Sequence, residues 1–356
     1  MGHKILVINP GSTSTKIALF DDCNQIFITT IRYSADELEP YARVIEQLEF
    51  RKSSILEALK QSGIDISDVE LIMGRGGLVK PIESGVYEVN EAMLKDLRNN
   101  TGGEEHASNL GAIIADDFAK EIGCKAYIAD PVVVDELQPV ARITGHPLFE
   151  WRSVFHALNH KIIAKRYANS VNSLYENLNL IVAHLGGGVS VGAHMKGRVV
   201  DVNNALSGVG PFSPERSGYL PAYDLAKVCF SGDYSFDEVK RMINGDGGLV
   251  AHLGTNSFQE VAQKMREGDV KVALVLEAFL YNVAKAIGAA AVVFSGKVDA
   301  ILITGGIAYN TDLMEHIAER VRFIAPVKIY PGEDEMFALA ENGYRVLIGE
   351  EIPSVY

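Results

Sequence analysis

A strand, turn, strand unit that occurs twice constrains this chain more than any other feature. Residues 5–20 read ILVINPGSTSTKIALF and residues 180–195 read LIVAHLGGGVSVGAHM. Each copy begins with four apolar residues, passes one polar residue, turns on small ones and re-emerges as a second strand of alternating polarity. The copies lie close to half a chain apart. Such a repeat predicts two duplicated domains, each presenting a small-residue turn at the corresponding point of its sheet. A third strand-to-glycine junction, AILITGGIAYN at 300–310, leads into a helical segment from about Asp312.

The surrounding pattern agrees. Short β-rich runs at 69–73, 126–130, 180–184 and 300–304 alternate with longer helical segments at 107–122, 153–168 and 270–293, which reads as an α/β fold. At 356 residues the chain is larger than one hydrophobic core usually grows, so two domains are expected. No linker composition marks the join, and the turn-rich TGHP at 144–147 is the best candidate for it.

Charge and cysteine usage narrow the function classes. With 33 basic against 46 acidic residues the net charge is -13, which opposes a phosphate backbone or an anionic membrane, and no local basic patch overrides it. Neither nucleic acid nor membrane is expected as a partner. Cys23, Cys124 and Cys229 are odd in number and far apart with no C-x-x-C spacing, so a disulfide framework and a zinc site are both disfavoured and a reducing cytoplasm fits. The first apolar run, Ile5–Ile8, is too short for a signal-peptide core. The longest uninterrupted apolar stretch, Ile287–Phe294, is too short to span a bilayer.

Glycine turns let backbone approach a bulky anion, and consecutive amides in a tight turn aim N–H groups at phosphate oxygens. Any one of the three junctions alone reads as an ordinary hairpin turn. Three of them, two related by the repeat, point to a polyphosphate held between two domains. The P-loop pattern is absent, GGGVSVG at 186–192 misses G-x-G-x-x-G because its last glycine falls one place late, and neither H-R-D nor D-F-G occurs.

VINPGSTSTK at 7–16, HLGGGVS at 184–190, RVVD at 198–201 and ITGG at 303–306 resemble the phosphate and adenosine segments of the acetate and butyrate kinase family. That family lies within the actin, heat-shock chaperone and sugar-kinase superfamily, and the likeness runs end to end. DPVVVDEL at 130–137, GPFSPERSGYLP at 210–221 and YPGEDEM at 330–336 are similar to the branch of the family that acts on four-carbon acids. The resemblance implies two actin-like, ribonuclease H-like α/β domains with a nucleotide cleft, the first spanning 1–145 plus 336–356 and the second 146–335. It implies a phosphotransferase with a carboxyl acceptor, converting butyrate and ATP reversibly to butyryl phosphate and ADP with Mg²⁺. Kinases for isobutyrate, propionate or acetate are the nearest alternatives. An ATP-gated, chaperone-like binding protein is the alternative of another class, and it would need a separate peptide-binding domain. A homodimer or higher homo-oligomer is expected.

Transfer to a carboxylate needs no strong base, because the nucleophile is already ionised at neutral pH. Catalysis must come from aligning two anions and neutralising the oxygens in transit. By the resemblance, Arg75 in IMGRGG and Arg216 in SPERSG bind the carboxylate and the moving phosphoryl group, a task suited to a planar donor fork. Read as bare sequence, Arg75 could be a solvated turn residue and Arg216 an ion-pair partner of Glu215. His156 and His160 share a helix face at a spacing that could suit zinc, but Ala157 stands where a zincin motif needs Glu. The resemblance makes His156 the phosphoryl-stabilising histidine and His184 a nucleotide contact, and leaves His160 structural. Asn9, Ser12, Ser14 and Lys16 line the first turn, Gly186, Gly187 and Gly188 the second, and Gly305 and Gly306 the third. Asp130, placed at an exposed strand end, and Glu335 are expected near Mg²⁺, with Asp201 a further acid beside the metal. Gly77 and Ser207 stand where the acetate-kinase pattern has larger apolar residues. Both are expected to open room for the distal carbons of a longer acid, so that Gly77→Val would penalise butyrate more than acetate.

Overall fold

The apolar run Ile5–Ile8 becomes the centre of a sheet. The computed structural model describes residues 2–103 and 105–356. Its first sheet holds β1 (Lys4–Pro10), β2 (Ser14–Asp21), β3 (Asn24–Arg32), β4 (Leu71–Arg75), β5 (Val86–Glu88) and β6 (Lys125–Ala129), in the order β3-β2-β1-β4-β6-β5. β1 pairs antiparallel with β2 and parallel with β4. With both edges bonded and both faces covered, it reads as continuous apolar sequence rather than as alternation. β3 lies at the sheet edge, where exposed and half-buried residues alternate.

The second sheet repeats that wiring. β7 (Asn179–Leu185), β8 (Val189–Met195), β9 (Arg198–Val202), β10 (Ala300–Gly305) and β11 (Val327–Pro331) run in the order β11-β10-β7-β8-β9. β7 pairs antiparallel with β8 and parallel with β10, β8 antiparallel with β9, and β10 parallel with β11. β7 therefore occupies the place of β1, β8 that of β2, β9 that of β3 and β10 that of β4. The repeat read from the sequence is a duplicated topology.

The chain divides into two compact units, Met1–Val134 with Asp334–Tyr356, and Asp135–Glu333. In the first, the helix Asn109–Ile122 covers one face of the sheet and the helix Glu335–Leu347 the other. Ile72 shares a core with Leu110, Ile113 and Ile114, while Leu71 and Met73 lie against Gly343. Facing glycines set how closely the first helix approaches. A Cβ on Gly74 would stand 2.5 Å from the carbonyl oxygen of Gly111, and one on Gly111 would strike the carbonyl oxygen of Arg75. That backbone contact fixes the end of β4, from which the Arg75 side chain leaves.

In the second unit, Ile181, Ala183, Val191, Ala193, Ile301 and Ile303 pack on the long helix Val270–Val292. Alternation turns His184, Ser190, Gly192 and His194 to the opposite face, where the helix Ala157–Ser170 lies. Taken whole, the long helix is apolar enough to cross a membrane by length and composition, with a mean hydropathy of 1.5 over its most apolar window. Reading only its uninterrupted apolar run at 287–294 missed this. Its Leu276, Phe279, Leu280, Val283 and Ile287 are spent on the core of the second unit.

Candidate active site

Each unit carries its candidate residues at the carboxyl ends of adjacent parallel strands, where open α/β sheets present their ligands. In the first unit Asn9 is the last residue but one of β1, Arg75 ends β4, and Asp130 follows β6. Glu335, at the start of the returning helix, joins two of them. Arg75 Nη1 donates to Glu335 Oε2 at 2.6 Å and to Asn9 Oδ1 at 3.1 Å, and Asn9 Nδ2 donates to Glu335 Oε2 at 2.9 Å. Each member fixes the orientation of the other two, so the guanidinium is held rather than solvated. Lys16 is the cross-strand partner of Asn9, so the two share a sheet face, and Lys16 is exposed.

Asp130 is only 4% exposed, which corrects the expectation of an open strand end. Its Oδ1 accepts the N–H of Gly85 at 2.9 Å. Both Asp130 (φ 41°) and Asp334 (φ 40°), which precedes Glu335, adopt the left-handed backbone conformation. A non-glycine residue held there costs free energy that surrounding contacts must offset, and such residues cluster at functional sites.

The first turn rests on a residue the sequence reading missed. Arg51, fully buried, donates to the carbonyl oxygens of Gly11, Ser12 and Ser14, to Thr15 Oγ1 and to Gln47 Oε1, all within 3.1 Å. Its guanidinium lies 4.7 Å from the centre of the Tyr33 ring. Burial pulls its pKa below the usual arginine value. Ser12 is exposed and Ser14 half-buried, and their carbonyls, pulled inward by Arg51, set the path of the turn. A sequence signal existed: Arg51, Ile55 and Leu59 are four apart and stand on one helix face.

In the second unit His156 precedes the helix Ala157–Ser170 at its N-cap and His184 is the last residue but one of β7. Their rings stack at 3.8 Å with an interplanar angle of 11°. His184 Nδ1 meets Asn159 Oδ1 at 2.8 Å, and Asn159 Nδ2 donates to the carbonyl oxygen of Glu333 at 3.0 Å. His156 Nδ1 lies 2.8 Å from Ser190 Oγ. Gly188 leaves space for Arg216, whose Nη1 stands where a Cβ on Gly188 would be. Arg216 donates to the Ala205 carbonyl oxygen at 2.8 Å and to Asn244 Oδ1 at 3.3 Å, while Glu215 is engaged by Asn256. Burial lowers the pKa of Arg216. Ser213 Oγ donates to the carbonyl oxygen of exposed Gly187 at 2.6 Å, and Gly186 N–H donates to the Gly188 carbonyl oxygen. In the third turn Gly305 packs on the backbone of Leu185, and Gly306 faces open space.

Two sequence expectations fail on geometry. Asp201 pairs with Ala193 on β8, and so faces the long helix, on the side of the sheet opposite Ser190 and His184. It lines a cavity of about 520 Å³ with Asn203, Tyr219 and Lys285, and burial raises its pKa. The structure does not bring it to the other candidates. Gly77 opens no pocket either, because a Cβ there would lie 2.6 Å from Asn109 Cα and 2.9 Å from Leu97 Cδ2. Its missing side chain admits a helix start rather than a ligand. Ser207 is exposed, with its N–H bonded to Asn204 Oδ1.

Among the described residues no group of three or more His, Cys, Asp or Glu is arranged to hold a metal ion. Mg²⁺ binds few protein oxygens beside phosphate and water. Asp130 and Glu335, the carboxylates at this end of the first unit's sheet, suit that demand.

The model of the Acetokinase family matches residues 150–351. The chain is 55% identical to butyrate kinase 1 of Clostridium acetobutylicum over 354 residues, 99% of either chain. Acetate kinase of Porphyromonas gingivalis superposes with a TM-score of 0.78 at 18% identity, over 97% of this chain and 100% of that one. A propionate kinase from Francisella tularensis superposes with a TM-score of 0.74 at 20% identity, over 96% and 98%. The fold is thus the two-domain, actin-like α/β arrangement of these kinases.

Proposed function

We propose that this chain, which belongs to the acetokinase family, is a short-chain fatty acid kinase that moves a phosphoryl group reversibly between ATP and butyrate, giving butyryl phosphate and ADP. The observation that carries this reading is the donor set of the second unit. His156 and His184 are stacked, and Arg216 lies under Gly188, with its guanidinium donating to neutral oxygens. Such a set suits the equatorial oxygens of a phosphoryl group in transit, and an ionised carboxylate nucleophile needs no base beside it. Butyrate itself rests on the name of the 55% identical relative.

In the first unit Arg75, aimed by Asn9 and Glu335, is the proposed clamp for the acid or the transferring group. Asn9, Ser12, Ser14 and Lys16, with the three glycine turns, are proposed to hold the nucleotide phosphates. Asp130 and Glu335 would hold Mg²⁺, whose charge neutralises phosphate oxygens. Domain limits are proposed at the junctions of the two compact units, ahead of Thr144–Pro147.

Cys23, Cys124 and Cys229 are unpaired, which fits a reducing compartment, and we place the enzyme in the cytoplasm. Leu148, Phe149, Tyr223, Phe230 and Phe236 of the second unit are 68–90% exposed. Exposure of that kind supports a homo-oligomer, and sedimentation of the purified chain tests it.

The function is tested by trapping acyl phosphate with hydroxylamine across acetate, propionate, butyrate and isobutyrate. Hydroxamate formation is expected to be fastest with butyrate. ATP hydrolysis without hydroxamate from any acid overturns the kinase reading, and a faster reaction with another acid moves the substrate.

A further inference from the structure

From His156 Nδ1 a chain of polar groups runs into the second unit. His156 Nδ1 meets Ser190 Oγ at 2.8 Å, Ser190 Oγ meets His160 Nε2 at 2.9 Å, His160 Nδ1 meets His194 Nε2 at 3.1 Å, and His194 Nδ1 meets the Tyr175 hydroxyl at 2.6 Å. His160 and His194 are fully buried. Burial, with Lys161 nearby, holds both pKa values well below the usual histidine value, so both rings are neutral.

A neutral imidazole has one N–H and one acceptor nitrogen, and a hydroxyl has one proton. Four contacts in series among such groups therefore admit two proton orders that keep every hydrogen inside the chain; a third, in which Ser190 Oγ accepts from both His160 Nε2 and His156 Nδ1, leaves the hydrogen of a fully buried hydroxyl unused. In the first, Tyr175 donates to His194 Nδ1, His194 Nε2–H to His160 Nδ1, His160 Nε2–H to Ser190 Oγ, and Ser190 O–H to His156 Nδ1. The second order reverses every bond. A phenol donates to an imidazole nitrogen better than its own delocalised lone pair accepts from one. The phenol selects the first order over its reverse, and the buried Ser190 hydroxyl, whose hydrogen needs an acceptor, selects it over the third.

We propose that Tyr175, acting through His194, His160 and Ser190, holds His156 as the neutral imidazole with its hydrogen on Nε2. Tyr175 is then a positioning residue placed four hydrogen bonds away from the ring it controls. The catalytic consequence rests on the function proposed above: Nε2–H donates to an oxygen of the moving phosphoryl group, whereas a bare Nε2 lone pair would repel it. The tautomer itself does not depend on that reading.

Nitrogen NMR of ¹⁵N-histidine-labelled protein provides the test. His156, His160 and His194 are all expected to carry hydrogen on Nε2, whereas His184, facing Asn159 Oδ1, carries it on Nδ1. Hydrogen on Nδ1 of His156, or disagreement among the three rings, overturns the proposal, and this measurement needs no variant to fold. Tyr175→Phe should then mix the His156 tautomers while leaving His184 unchanged, and lower kcat about 10- to 100-fold, as loss of an outer partner does at other sites, with KM for ATP and acid changed far less. In a Ser190→Ala background, where the chain is already cut, Tyr175→Phe should lower kcat no further. An unchanged His156 tautomer in Tyr175→Phe overturns the proposal even if no acyl kinase activity is ever found. Correct tautomers without hydroxamate formation count against the function alone.

Discussion

Arg51 carries a full charge into a place with no carboxylate to meet it. Its hydrogen bonds go to three backbone carbonyls, one hydroxyl and one amide, so the first turn is shaped from beneath by a cation whose electric field persists at its surface. Removing the guanidinium takes the donor from the Gly11 and Ser12 carbonyls and from Gln47 Oε1, while the Ser14 carbonyl keeps the Gly11 N–H and Thr15 Oγ1 keeps the Tyr33 hydroxyl. Arg51→Met is expected to destabilise the fold by about 3 kcal/mol or more, read from urea unfolding; a loss near zero means the turn holds its shape unaided. Arg75 and Arg216 differ, since the function proposed above assigns part of each fork to a ligand. Arg75→Ala and Arg216→Ala should each lower kcat/KM for the acid by about 10² to 10³ with nucleotide affinity changed far less. Near-normal turnover at saturating acid would leave that arginine without its role. All three residues are single letters in the sequence. Arg75 stood out among the glycines of IMGRGG, and Arg216 through the resemblance carried by SPERSG. Arg51 was missed because no motif surrounds it, although it shares a helix face with Ile55 and Leu59.

At the scale of elements, the turns were legible and their packing was not. Four apolar residues followed by one polar residue and small ones specify a buried strand and its turn in both copies, and β1 to β4 and β7 to β10 follow that specification. An absent side chain, however, reads the same whether it admits a ligand or a helix. Gly77 was read as room for an acyl chain, yet the start of the helix Asn109–Ile122 fills that room. Gly77→Val is therefore expected to cost about 1–3 kcal/mol by overpacking and to leave the butyrate-to-acetate ratio of kcat/KM unchanged in whatever folds. A selective loss of butyrate activity would restore the pocket. Asp201 failed for another reason. Its side depends on the register of β9 against β8, which shifts at Ala193/His194, and an irregularity of that kind leaves no mark in composition or motif.

Across the whole molecule, the net charge of -13 favours proton uptake, yet local burial wins at His160 and His194. Both have folded pKa values depressed far below 6.5, so the stability they contribute is fully present above about pH 6.5. As the pH falls below that value, the unfolded chain takes up protons that the folded chain refuses. Stability should drop by about 1.4 kcal/mol per pH unit for each ring. Urea midpoints at pH 7.5 and 5.5 check this, and equal midpoints would mean that the rings accept protons without unfolding. The returning helix has a consequence in time. Asn9 and Arg75 are made early, while Glu335, which bonds to both, is made 326 residues after Asn9. At translation rates of about 5–20 residues per second, the emerging first sheet waits on the order of tens of seconds for the helix that covers Leu71 and Met73. During that interval the nascent chain presents an apolar sheet face to water, and a polypeptide cut short before residue 335 would leave Arg75 without its carboxylate.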